Sequence, residues 1–360
     1  MIRCVEFYSG LGGWAYAAAR CEGLEIVLSV DVSTTCNEIY FHNWGRRPAQ
    51  RRIETMDASE LRGFDVWLLS PPCQPHTRQR EDGRVDDLDP RSWSLAHLAG
   101  LMAVAAPRLF ACLENVVGFE KSRSCEAWHS ALRAAGFAVH WWHATPTDMG
   151  TPNDRPRYFE CAVRGGRDPA KPGRTLAPRR PARPLADFLE AGNEGLRVSE
   201  ATLAKTAAWC LDVVAADSPH PASCFTKSYG RYVRGTGSVL LCRGEHADLE
   251  RLHLARDDPA KRTFRPREAE WPPLRYFSPR EIANLLGFPP AGGRAPRHFE
   301  FPSSISTRAA WATLGNSLHI PTAVAVIRFG LREGFHGDDD DDVGHSRRSE
   351  AGESAGDVSR

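Results

Sequence analysis

The sequence predicts an α/β fold built on a parallel sheet, and three observations carry that reading. Through residues 1–165, short apolar runs of strand length alternate with helical stretches. A glycine turn, Gly10-Leu11-Gly12-Gly13, joins the first strand to the first helix. An acid, Asp31, closes the second strand 19 residues after Gly12.

In chain order, residues 3–8 read as the first strand and 14–20 as the start of a helix. Residues 26–30 are a second strand, 37–42 a helix, and 66–69 a strand that runs into Ser70-Pro71-Pro72. Residues 95–106 make an apolar helix, and 109–113 a strand ending at Glu114. The rhythm breaks at residues 164–184, rich in Pro, Gly and Ala and carrying Arg164, Arg167, Lys171, Arg174, Arg179, Arg180 and Arg183. Helical character returns at 277–286, where Ser278 is placed to cap and Pro279 to occupy the first turn. A last helix begins near Pro321. The chain beyond 336 is acidic and Gly/Ser-rich, the composition of a disordered tail. The expected organisation is a main unit of residues 1–165 and 274–335, a basic linker 166–184, an inserted unit 185–273 and a tail 336–360.

With 360 residues, 42% of them hydrophobic, the chain can bury a large core. It has no apolar run of about 18 residues, so no transmembrane helix is expected, and its first residues lack the layout of a signal peptide. None of its 10 cysteines forms a C-x-x-C pair, which argues against a bound metal and for reduced thiols in the cytoplasm or nucleus. From residue 336 onward eight acids face three bases, a net of −5, so the remainder carries +6 of the chain's overall +1. A mildly basic body suits a nucleic-acid partner.

The glycine turn lets backbone approach a ligand at a helix N-terminus, and Asp31 is placed to bond ribose hydroxyls. These two features fit NAD and S-adenosylmethionine equally. The next signal is Ser70-Pro71-Pro72-Cys73-Gln74-Pro75-His76-Thr77, just past a strand's carboxyl end, where α/β folds bind ligands. Two prolines stiffen the loop and fix where the Cys73 thiol points. Glu114 and Asn115 end another strand of the same sheet, and Arg155 and Arg157 add two cations near the next.

In this order, the glycine loop, Asp31, Pro-Pro-Cys, Glu114-Asn115-Val116, Arg155-x-Arg157 and Gly315-Asn316-Ser317 resemble the cytosine-5 methyltransferases. The resemblance implies a Rossmann-like S-adenosylmethionine-dependent methyltransferase fold with a small inserted target-recognition domain at 185–273. It implies that Cys73 attacks carbon-6 of a flipped cytosine, with Glu114, Arg155 and Arg157 as its catalytic partners. It places Leu11, Gly12, Gly13, Asp31, Ile53, Glu54, Ser70, Asn316 and Ser317 around the cofactor.

Two long runs are similar to one branch, the type-two DNA-methyltransferase homologues that methylate tRNA for aspartate. One starts at Cys224-Phe225-Thr226 and continues through Lys227, Tyr229, Arg231, Tyr232 and Arg234, and the other is LRYFSPREIANLLGFPP at 274–290. The cations of the first run suit phosphates, and its tyrosines suit stacking on unpaired bases. The partner implied is the tRNA anticodon stem-loop, with DNA a weak second, and the protein is expected to be a monomer. The alternatives are a DNA cytosine-5 methyltransferase and a catalytically idle nucleic-acid-binding paralogue. The chain departs from the branch at His76, where Phe is usual, and in the Arg/Pro-rich segments 164–184 and 291–298.

Overall fold

The computed structural model describes residues 1–72, 89–166, 168–169, 176–243, 246–257, 271–290 and 298–336. Cys73, His76, residues 291–297 and the tail beyond 336 lie outside them. Eleven strands are formed: β1 (Ile2–Phe7), β2 (Leu24–Val30), β3 (Val66–Leu69), β4 (Phe110–Val116), β5 (Phe137–Ala144), β6 (Asn153–Asp154), β7 (Arg157–Arg164), β8 (Asp212–Val214), β9 (Ala222–Ser223), β10 (Ser238–Leu241) and β11 (Leu274–Tyr276). Among them run α1 (Gly13–Ala18), α2 (Thr34–Trp44), α3 (Ala58–Leu61), α4 (Trp93–Ala105), α5 (Arg123–Ala134), α6 (Glu200–Leu203), α7 (His246–Asp257), α8 (Pro279–Leu285), α9 (Thr307–Gly315) and α10 (Ile320–His336).

The main sheet has the order β2-β1-β3-β4-β7-β5. Its central strands are buried on both faces, so their side chains divide by parity rather than alternating with polar residues. In β3, Val66 and Leu68 enter one core while Trp67 and Leu69 enter the other. In β4, Phe110 and Cys112 join the first core, and Ala111 and Leu113 the second. The first core is closed by α1, α8 and α10, the second by α4 and α5.

The sheet is not wholly parallel, which corrects one expectation. Strand β7 pairs antiparallel with both β4 and β5. The reason lies in the connection: residues 145–156 hold only one 3-10 turn and the two-residue β6, with no crossover helix. Without one, the chain returns antiparallel, and β7 inserts between β4 and β5. Strand β4 also runs three residues further than expected, so Glu114 and Asn115 lie within it.

A second, smaller sheet has three strands, β11-β10-β8, over a core of Val198, Leu211, Val213, Val239, Leu241, Leu249, Leu252 and Leu274. Its strand β11 falls at Leu274–Tyr276, residues expected in the main unit, because they pair with β10, and the run 274–290 leads from it into α8. Ser278 caps α8 by accepting from Glu281 N, and Glu281 answers by accepting from Ser278 N, a reciprocal capping box. The Glu281 carboxylate is fully buried and also takes both arms of Arg275, at 2.7 and 2.8 Å. It accepts from Glu190 N as well, so one carboxylate joins β11, α8 and the segment that follows the basic linker.

This clamp yields a stability test. Glu281→Ala leaves Arg275, itself only 7% exposed, buried without its counter-ion, and is expected to cost about 3–5 kcal/mol in denaturant unfolding. A loss below about 1 kcal/mol would reduce the pair to the level of an exposed ion pair.

Candidate active site

A cavity of about 530 Å³ opens at the carboxyl ends of β1, β2, β3 and β4. Its floor is the glycine turn: β1 ends at Phe7, and Tyr8 and Gly10 take positive φ, so the backbone reverses tightly before α1. Asp31, just past β2, holds that turn in place. One carboxylate oxygen accepts from Gly10 N and the other from Ser33 N, each at 2.8 Å. Asp31 also lines the cavity. On the same wall, Ser9 Oγ is buried with no hydrogen-bond partner among the described residues. An acid beside an orphaned hydroxyl and a glycine cradle fits a ribose-bearing cofactor.

Of the residues singled out in the sequence, Leu11, Gly13, Asp31, Ser70, Glu114, Arg155, Arg157, Asn316 and Ser317 line this one cavity. Pro71 and Pro72 line it too, so the chain passes along its wall immediately before Cys73, which itself lies outside the described residues. Asn115 Nδ2 donates to Pro71 O at 3.4 Å, tying the Pro-Pro segment to β4. Trp14 Nε1 donates to Ser70 Oγ at 3.0 Å from beneath.

Three expected cofactor residues are absent from the lining. Gly12 serves the turn instead: a β-carbon there would lie 2.9 Å from Trp44 Nε1, so its place is against α2. Ile53 is 5% exposed within the second core, and Glu54 pairs with Arg52 at 3.1 Å. The wall holds other residues in their stead: Val32, Ser33, Thr35 and Cys36 after β2, and Ala309, Ala312 and Thr313 along α9. Val32 is 61% exposed, an apolar side chain offered to whatever the cavity takes. Its position directly after the strand-end acid was the available signal.

Glu114 is 7% exposed, with Arg157 Nε at 3.5 Å from Oε1. Burial pushes its pKa above the ordinary carboxylate value, opposed by the charges of Arg157 and Arg155 and by a hydrogen bond to Ser70. A carboxyl held in this balance can carry a proton and donate it, the state needed to bond a ring nitrogen.

Arg155 does something different from what its motif suggested. It is 3% exposed, and its guanidinium donates to Phe225 O at 2.9 Å, to Gly315 O at 3.0 Å and to Ser317 O. It is a positioning residue that fastens the Cys-Phe-Thr and Gly-Asn-Ser segments together. Their contact is close enough to require glycine: a β-carbon at Gly315 would overlap Thr226 C and Lys227 N.

Cys224 is a residue the sequence reading left out of the site. Its Sγ lies 3.4 Å from Arg155 Nη1 and 3.5 Å from Arg157 Nη2. Burial raises its pKa, but the two guanidiniums outweigh that and hold it below the ordinary thiol value. Its place beside Phe225 in the run was the signal, read only for what followed it.

Of the expected base-stacking residues, Tyr229 is corrected. It is 2% exposed, donates to Ser238 O at 2.6 Å and accepts from Phe277 N at 2.9 Å, and its ring packs edge-on against Phe225 and Trp311. It is core. Lys227, Arg231, Tyr232 and Arg234 are exposed, Tyr232 at 56%, with the Arg231 guanidinium over its ring.

A family model described as C-5 cytosine-specific DNA methylase matches residues 2–329. The chain is 30% identical to the mouse tRNA (cytosine(38)-C(5))-methyltransferase over 93% of its own length and 94% of that protein's. It is 27% identical to a Dictyostelium discoideum DNA (cytosine-5)-methyltransferase over 91% of this chain and 93% of that one. The crystal structure of Spodoptera frugiperda DNMT2 superposes with a TM-score of 0.77 at 27% identity, covering 92% of this chain and 100% of that one.

The Glu114 environment gives a test independent of turnover. Because its pKa is raised, the folded state holds this proton where an unfolded carboxyl has lost it, so its contribution to stability falls as pH rises through that window. Arg157→Gln removes the nearer opposing cation and is expected to move the Glu114 pKa further up. Isotope-edited infrared spectra should show the protonated carboxyl persisting to higher pH in the variant. A curve identical to the parent's would remove Arg157 from the balance.

Proposed function

Because this chain belongs to the C-5 cytosine-specific DNA methylase family, we propose that it methylates carbon-5 of a cytosine in a tRNA anticodon loop, that of the aspartate tRNA, with S-adenosylmethionine as donor. The family makes it a cytosine-5 methyltransferase. The observation that carries the tRNA reading is the seating of the Cys-Phe-Thr run. Its backbone at Thr226 and Lys227 backs directly on Gly315, a residue of the cavity wall. The exposed Lys227, Arg231, Tyr232 and Arg234 therefore start at the rim of the cavity that holds Glu114. Relatives named as tRNA (cytosine(38)-C(5))-methyltransferases from mouse and fission yeast support it.

Carbon-5 of cytosine is a weak nucleophile. Addition of the Cys73 thiolate to carbon-6 places electron density on carbon-5, as in an enamine. Glu114, carrying its proton, bonds ring nitrogen-3 and the exocyclic amine and stabilises that electron shift. Arg157, which lines the cavity beside Glu114, is the cation for the base carbonyl. S-adenosylmethionine, when bound, supplies an electrophilic methyl group. Loss of the carbon-5 proton then expels Cys73 and restores the aromatic ring. Asp31 and the turn at Gly10 hold the cofactor's ribose, and Val32 gives its base an apolar surface. The target base must leave its stack, and a cytosine in a seven-membered loop is already partly unstacked, which lowers that cost below a duplex's.

Two measurements test this. Cys73→Ala is expected to abolish methyl transfer while cofactor affinity, measured by calorimetry, stays at the parent value; appreciable turnover by the variant would overturn the nucleophile assignment. In a competition offering tRNA and duplex DNA together with labelled cofactor, the label is expected in tRNA. Label entering mainly DNA would favour the reading suggested by the Dictyostelium relative's name.

A further inference from the structure

The basic linker is built as a rigid rail. Its described part reads Leu176-Ala177-Pro178-Arg179-Arg180-Pro181-Ala182-Arg183-Pro184, with prolines at every third position. Proline fixes φ near the polyproline II value, and that helix repeats every three residues at about 3.1 Å rise each. Residues 178–184 are all exposed and form no helix or strand.

This segment is nonetheless fastened down. Arg180 N donates to Asp148 O at 3.0 Å, and one repeat later Arg183 N donates to Gly150 O at 2.9 Å. Gly150 is in the left-handed region at φ 79°, and a β-carbon there would overlap Pro181 O. The turn beneath has thus given up a side chain to let the linker lie against it. Past Pro184, Leu185 and Phe188 are buried in the first core and lock the segment's end.

With the backbone edge turned inward, the arginine side chains remain in solvent. Arg179 meets Asp148 at 3.3 Å with its side chain 84% exposed, and Arg183 meets Asp187 at 3.1 Å with 58% exposed. Ion pairs this exposed are worth about 0–1 kcal/mol, so neither acid holds its arginine against a stronger anion. Arg180 makes no ion pair among the described residues. Arg180 and Arg183 stand one repeat apart, about 9 Å along the rail.

The turn that carries the rail also carries the site. Thr145, at its start, accepts from Arg155 N through Oγ1 at 3.0 Å, and Arg157 follows two residues later. The one loop, residues 145–156, therefore both carries the rail and leads through Arg155 into Arg157.

We infer that residues 178–184 are a phosphate-binding rail for the tRNA backbone flanking the target loop, with Arg179, Arg180 and Arg183 as its contacts. The inference rests on the tRNA reading above. A pre-set, anchored backbone loses little entropy on binding, and guanidiniums suit phosphate geometry.

The test uses the full chain with Arg179, Arg180 and Arg183 replaced together, by Gln in one variant and by Lys in another. Binding of unmodified tRNA is measured from low to moderate salt, alongside kcat, KM and cofactor affinity. The Gln variant is expected to lower the slope of log affinity against log salt by about 2–3, to raise KM for tRNA, and to leave kcat at saturating tRNA and cofactor affinity unchanged. The Lys variant is expected to keep most of the slope. A Gln variant with the parent's salt slope and KM overturns the rail, as does one whose loss appears only in kcat. A parent protein that binds no tRNA sinks the tRNA reading itself, and the two failures are thereby separate.

Discussion

The structure turns on one buried cation. Arg155 has almost no contact with solvent, yet it joins the loop after β5, the Cys-Phe-Thr run and the Gly-Asn-Ser segment through three carbonyls. Charge-assisted hydrogen bonds of this kind are stronger than neutral ones, and a guanidinium deprived of them inside the protein is costly. The consequence is geometric. These segments are separated by some 70 and 160 positions in sequence, and they cannot drift apart without exposing an unpaired charge. The cavity wall, the Cys-Phe-Thr run and the loop that leads into Arg157 are therefore held as one piece. Gly315 shows how closely they are drawn in, since backbone presses on backbone where its side chain would be.

Around that fastening the site sets burial against charge at two groups. Glu114 is pushed up by burial and pulled down by two arginines, while Cys224 is pushed up by burial and pulled down by the same pair. The Glu114 carboxyl and the Cys224 thiol thus share two cations. Such competition keeps a carboxyl close to proton exchange rather than locked as a salt bridge. Arg157 is the member of the pair nearer the carboxylate, with Nε 3.5 Å from Glu114 Oε1, while Arg155 donates to three backbone carbonyls.

Much of this was legible in the sequence, where local chemistry alone decides the outcome. The glycine turn, the strand-end Asp31, the strands that carry Ser70 and Glu114, and the Ser278-Pro279 helix start follow from backbone requirements that any fold must meet, and they fall where expected. The departures come from long-range packing. That β7 runs antiparallel depends on a missing crossover helix, not on its own composition. Helix α5 and strand β5 were passed over, because the stretch of residues 123–144 mixes apolar residues with Arg, His and Glu. Ile53 and Glu54 were placed by the family resemblance, while the cavity wall is lined by Val32, Ser33, Thr35 and Cys36 and by α9. Tyr229 looked like a stacking platform, and only its two buried hydrogen bonds reveal it as core.

The first core is assembled from both ends of the chain, with consequences for how the protein is made. Helix α10 packs on α1, β4 and β7, and Ala323, Val326 and Ile327 are buried there beside Trp14 and Phe110. Arg20 binds Gly287 O, Asn43 binds Glu300 O, and Tyr16 binds His298 O, contacts spanning more than 250 residues. While the ribosome is still translating the middle of the chain, one face of the main sheet has α1 but lacks α8 and α10. That face presents Cys4, Phe110, Cys112 and Cys161, a sticky surface that waits on the final helix. Synthesis at ordinary elongation rates leaves it only partly covered for tens of seconds, long enough for a nascent-chain chaperone to be the first partner this protein meets.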